Sequence, residues 1–152
     1  MTITSLASPP DVLHWGDQFL LGYTPMDDVH EVFVTLIEQL QCAEDPALSG
    51  LLAQLASHLK QHFEMENDWM RETAFPPRDC HIDEHAAVMQ SVLEVQGLLA
   101  QGHVAICREL VDELAAWFPR HADHLDSALA HWMTKRSLGG KPVVVRRGLT
   151  LR

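Results

Sequence analysis

Leu55-Ala56-Ser57-His58-Leu59-Lys60-Gln61-His62-Phe63-Glu64-Met65-Glu66-Asn67-Asp68-Trp69-Met70 carries both an apolar period and two ligand-type side chains. Leu55, Leu59, Phe63 and Met70 recur at helical period, so they predict the buried stripe of an amphipathic helix. His62 and Glu66 lie on that same stripe, one turn apart. A carboxylate inside a helical bundle is expensive unless it is protonated, paired or bound to metal. Outside this stretch, His81 with His85 repeats the i, i+4 spacing, His121 is followed by Asp126, and His30 stands alone. One buried histidine is usually a hydrogen-bonded core residue. Five histidines and two carboxylates spread over four helical segments are the pattern of ligands projecting from facing helices onto metal ions.

The flanking sequence supplies the other helices. Asp27 or Asp28 is placed to cap a first helix through Val29, Val32, Phe33, Leu36, Ile37 and Leu40, ending near Asp45-Pro46. Ser49-Gly50 offers the start of the second, which runs to about Thr73. Phe75-Pro76-Pro77 then breaks the chain. A third helix is expected from about Asp79 to Ala100, with Gly102 just past its end. A fourth begins near His103 and continues through Leu110, Leu114, Trp117, Leu125, Leu129 and Trp132. The expectation is an all-α, up-down-up-down four-helix bundle over residues 27–134. An irregular Pro- and Gly-containing arm precedes it over residues 1–26, and a basic tail follows over residues 135–152.

The 152 residues, 47% hydrophobic, suffice for one domain with a core. Net charge is −10, with six basic and no acidic residues from Lys135 onward, so the preceding body carries five basic against 21 acidic side chains, a balance of −16. Such a body repels phosphates, which argues against nucleic acid as a partner. The tail itself is open to a bland reading as a solvated terminus and a sharper one as a docking segment for an acidic protein partner or membrane surface. No apolar run reaches the roughly 18 residues of a transmembrane segment. Three widely separated cysteines suit a reducing compartment rather than a disulfide framework, and a cytoplasmic location is expected.

Imidazole and carboxylate donors without thiolate suit iron or manganese, and could suit zinc. Five imidazoles and two bridging carboxylates fill nine of the ten positions left on two six-coordinate ions that share an oxo or hydroxo bridge, leaving one open for a small ligand. The His121 to Asp126 step is i+5, however, which places the two side chains roughly 140° apart on an ideal helix. They cannot share a face without distortion, and Pro119 offers a cause for a kink or local bulge.

The combined pattern of His30, His62-x-x-x-Glu66, His81-x-x-x-His85 and His121-x-x-x-x-Asp126 resembles that of the hemerythrins, in particular bacterial single-domain, bacteriohemerythrin-like proteins. Asp27 ahead of His30, Phe63 after His62, Phe75-Pro76 ahead of the His81 pair and Trp117-Phe118 ahead of His121 add to the likeness. The resemblance implies two non-haem iron ions with an oxo or hydroxo bridge, binding dioxygen reversibly. Carried over residue by residue, His81, His85 and His121 would hold one iron and His30 and His62 the other, with Glu66 and Asp126 bridging. The second iron would keep the open position.

Four positions depart from the family's usual pattern: Val29, Asn67, Ala122 and His58, the last standing where an aromatic residue is common. His58, Phe33, Phe118, Ala122 and Trp117 are the expected lining of the ligand pocket or outer partners of the ligands. A small Ala122 would leave the pocket wetter, with Phe118 available to refill the space. The first functional expectation is an oxygen-binding protein for carriage, storage or sensing. The alternatives are a di-iron redox enzyme that reduces peroxide or nitric oxide or oxidises ferrous iron, with His58 as its candidate acid, and a redox-sensing module.

Overall fold

The computed structural model describes residues 11–138, which are largely helical and contain no strand. A 3-10 turn, Asp17–Phe19, lies in the arm. The bundle consists of α1 (Thr24–Cys42), α2 (Asp45–Glu72), α3 (Arg78–Ala100) and α4 (Val104–His121). The last continues without a break through a π-helical turn, Ala122–Asp126, into α5 (Ser127–Ser137). Helices α1 and α3 each pack against both α2 and α4. With short connections, that ring is the up-down-up-down arrangement the apolar periodicity predicts. Residues 1–10 of the expected arm and most of the basic tail lie outside the described residues.

Three boundaries differ from the expected ones. Asp27 does not cap α1, which begins at Thr24 with Pro25 in its first turn. Its buried carboxylate instead accepts the N–H groups of Leu21 at 2.8 Å and Gly22 at 3.1 Å, fastening the arm to the bundle. Gly22 has φ +86°, a conformation that favours glycine. Asp45-Pro46 opens α2 rather than closing α1, which ends at Cys42, and the expected start at Ser49-Gly50 lies inside α2. Proline suits a helix's first turn, where its missing N–H would have no partner anyway.

The double-proline break falls where expected, between α2 and α3. There Ala74 takes φ +52°, while Phe75 N–H returns to the Met70 carbonyl at 2.9 Å. Gly102, at φ +92°, closes α3 as its position predicts.

The apolar core is divided. A large cluster contains Phe33, Ile37, Leu40, Leu52, Leu59, Leu110, Leu114 and Phe118. A smaller one gathers Met26, Met70, Phe75, Leu129 and Ala130. Between them, each helix turns polar for about one turn: His30 separates Met26 from Phe33, and His62 and Glu66 separate Leu59 from Met70. His121 and Asp126 likewise separate Phe118 from Leu129. The polar side chains therefore meet at one level of the bundle, capped by hydrocarbon above and below.

Candidate metal centre

His30 comes from α1, His62 and Glu66 from α2, His81 and His85 from α3, and His121 and Asp126 from either end of the π turn. All seven side chains are buried. Their donor atoms form two groups, Glu66 with His81, His85, His121 and Asp126, and Glu66 with His30 and His62. Within each group the atoms lie no more than 4.8 Å apart.

The carboxylates divide their oxygens between these groups. Glu66 Oε2 faces His62 Nε2 at 2.6 Å and His30 Nε2 at 3.4 Å, while its Oε1 faces His85 Nε2 at 3.4 Å and His81 Nε2 at 3.6 Å. Asp126 Oδ2 faces His30 Nε2 at 3.1 Å, and its Oδ1 faces His81 Nε2 at 2.9 Å and His121 Nε2 at 3.2 Å. Three imidazoles thus converge on one side and two on the other, with one oxygen of each carboxylate toward each.

The π turn makes the i+5 step workable. Its wider helical turn, in which Ser127 N–H reaches the Ala122 carbonyl, brings Asp126 back over His121. The expected distortion is present, but it begins after Pro119, which itself lies inside α4. Asp126 is held in place by contacts to His30 and His81 on other helices, so the bulge sits where those contacts require it.

Electrostatics among these groups is strong. Burial works against the charged forms of Glu66 and Asp126, yet the surrounding histidines hold both carboxyls well below their ordinary range. For His30, burial is outweighed by contacts to Asp126 and Glu66, which push it up to about 9. Burial pulls His85 down, whereas Asp126 and Glu84 bring His121 up.

Hydrogen bonding is nonetheless incomplete. Nε2 of His30, His81, His85 and His121, Glu66 Oε1 and both Asp126 oxygens are buried without a well-directed partner. Each such atom costs about 1–3 kcal/mol, so seven of them converging on one point demand a common partner. Two cations supply one, and nitrogen and oxygen donors of this type suit iron.

Around the ligands, Phe118 meets the His30 ring edge-on with centroids 5.2 Å apart, and Phe33 packs behind it at 5.0 Å. Ala122 is buried in the same core cluster. The His58 ring lies 5.3 Å from that of His62, with a buried and unpartnered Nε2. Burial and repulsion by His62 lower its pKa to about 4. Trp117 lies on the three-histidine side, stacked on His121 at 4.3 Å. His14, His103, His124 and His131 are exposed, and His14 pairs with Glu38 at 2.6 Å.

Sequence reading missed two outer partners. His85 Nδ1 donates to Asn67 Oδ1 at 2.8 Å, and His121 Nδ1 donates to Glu84 Oε1 at 2.9 Å. Asn67 was visible only as a departure from a pattern. Glu84 had a signal in Trp117-x-x-x-His121, two N–H donors one turn apart that a facing carboxylate can accept together.

Comparison with known proteins gives a consistent result. The family model described as Hemerythrin HHE cation binding domain matches residues 21–132. A bacteriohemerythrin of Ralstonia nicotianae is 34% identical over 125 residues, covering 82% of this chain and 91% of that protein. A myohemerythrin of Riftia pachyptila is 25% identical over 117 residues, covering 77% and 90% respectively. No solved structure matches the chain.

Proposed function

Because this chain belongs to the hemerythrin family, and its buried histidine and carboxylate cluster fits that family's di-iron, oxygen-binding domain, we propose that it binds dioxygen reversibly for carriage, storage or sensing. In this reading His81, His85 and His121 would hold one iron and His30 and His62 the other, with Glu66 and Asp126 offering one oxygen to each. The observation that carries the proposal is the unequal division of donors, three imidazoles against two with both carboxylates shared, which leaves the two-histidine side a ligand short. Two irons supply the electrons for binding dioxygen.

The chain's own residues supply position and dryness. Glu66 and Asp126 would set the spacing of the two ions, and the π turn aims Asp126 at both groups of histidines. Phe118, backed by Phe33, walls the two-histidine side with hydrocarbon, which would keep water from displacing a ligand there. No helix among the described residues is long and apolar enough to cross a membrane.

A second reading, redox turnover of peroxide or nitric oxide, rests on His58. The His58 ring, kept neutral at pH 7 by a pKa lowered to about 4, lies beside His62 on the ligand-short side, where it can accept a proton and pass it on.

Metal content and visible absorption on anaerobically reduced protein test the first reading. Two irons per chain, and a charge-transfer band that appears with oxygen and disappears on its removal, are expected. Direct conversion to the fully oxidised spectrum shifts the function to redox chemistry, and absent or single iron overturns the di-iron assignment. Peroxide turnover that is unchanged in His58→Ala removes the second reading's candidate proton relay.

A further inference from the structure

The outer nitrogens of the five histidines are treated unequally. Nδ1 of His30, His62 and His81 is buried with no hydrogen-bond partner among the described residues. His85 Nδ1 donates to a neutral amide, Asn67 Oδ1, at 2.8 Å. Only His121 Nδ1 reaches a carboxylate, Glu84 Oε1, at 2.9 Å. The same oxygen accepts Trp117 Nε1–H at 2.7 Å, and the Trp117 ring stacks on His121 at 4.3 Å and 28°. His121 is thus clamped in plane by one carboxylate and on its face by an indole that the carboxylate also holds. The Glu84 side chain is 38% exposed, at the border of a surface groove between α3 and α4, whereas His121 is 2% exposed.

We infer that Glu84 is a positioning residue for His121 that makes the two metal positions unequal, the three-histidine side being the more readily oxidised. This rests on the di-iron reading above. A carboxylate accepting Nδ1–H fixes which tautomer offers Nε2 to the metal and draws positive charge onto the outer nitrogen, so Nε2 becomes a more basic donor. A stronger donor favours the higher oxidation state. Charge-assisted hydrogen bonds are roughly twice as strong as neutral ones, so the bond to Glu84 outweighs that to Asn67. On the two-histidine side neither ligand has such a partner. The inequality therefore comes from outer contacts as well as from ligand number.

Glu84→Gln keeps an acceptor for His121 and removes only the charge. In iron-loaded protein it is expected to shift one of the two iron couples toward the reduced form by about tenfold, or about 59 mV for one electron, with an unchanged unfolding midpoint. Glu84→Ala removes the acceptor and is expected to weaken one iron about 10–100-fold, the usual cost of losing such an outer partner. If wild-type protein holds two irons and Glu84→Gln leaves both potentials unchanged, the inference is overturned and the di-iron reading survives. If wild-type protein takes up no iron, the di-iron reading itself falls and takes the claim about potentials with it. The positioning contact is read separately in metal-stripped protein, from the downfield Nδ1–H resonance of His121 and the emission of Trp117. Both are expected to change in Glu84→Ala, and their persistence unaltered overturns the clamp.

Discussion

Phe118→Ala tests how the bundle guards the ligand-short side. Phe118 is 1% exposed and lies within 5.0 Å of Phe33, 5.4 Å of Phe19 and 5.2 Å of His30, centroid to centroid. Truncating a buried phenylalanine costs about 3–5 kcal/mol. Three ring partners, each worth about 0.5–1.5 kcal/mol beyond area alone, place this site in the upper part of that range, at about 4–5 kcal/mol. At about 2–4 °C per kcal/mol for a chain of this size, the unfolding midpoint should fall by about 8–20 °C. Phe118→Leu keeps most of the volume and loses the ring pairs, so about 1–2 kcal/mol is expected.

The assay is urea unfolding of metal-stripped protein, paired with the lifetime of the oxygenated spectrum in iron-loaded protein. Phe118→Ala should shorten that lifetime, and Phe118→Leu should largely preserve it. A loss below about 2 kcal/mol for the alanine variant would refute the packing argument. A full loss of stability with an unchanged lifetime would refute the role of Phe118 as a water-excluding wall, leaving it a core residue only.

Three other outcomes are expected. Deleting exposed Asp123 should restore an α-helical turn in which His121 and Asp126 stand four steps and about 40° apart, so iron uptake persists and Leu129 keeps its register. Deleting exposed Glu64 from regular α2 rotates the remainder of that helix by about 100° and should abolish uptake; loss of iron in both deletions would show that the π turn is needed for more than register. Glu66→Gln removes one donor oxygen and a charge shared by both metal groups, so at most one iron per chain should bind, and elemental analysis finding two would contradict the bridging role. In metal-stripped protein, the raised His30 pKa contributes stability that is fully present below its unfolded value of 6.5 and lost as pH rises to about 9. The depressed Glu66 and Asp126 act oppositely, their contribution present above their unfolded values and lost as pH falls through the folded ones. Metal must displace the His30 proton, so affinity should climb between pH 7 and about 9; a flat affinity profile across that window would show that no proton leaves on binding.

What is local and periodic was legible in the order of residues alone. Apolar residues at helical spacing specified four helices, Phe75-Pro76-Pro77 and Gly102 marked two of the turns, and ligands one helical turn apart revealed themselves because polar groups interrupted an apolar stripe. The i+5 step from His121 to Asp126 even announced a distortion, since a fixed angle per residue forbids the regular alternative. Tertiary structure decided what depends on distant side chains meeting. Asp45-Pro46 reads equally well as the end of one helix or the start of the next until packing chooses, and Asp27 looked like a cap until the arm's N–H groups came within its reach. Which oxygen of Glu66 and Asp126 faces which histidine, where the π turn falls relative to Pro119, and the contact of Asn67 to His85 leave almost no trace in spacing, and Trp117-x-x-x-His121 calls for a facing carboxylate without singling out Glu84. They are set by approaches between helices across the bundle, and a hydrogen bond between residues far apart in the chain imposes no period on the sequence of either.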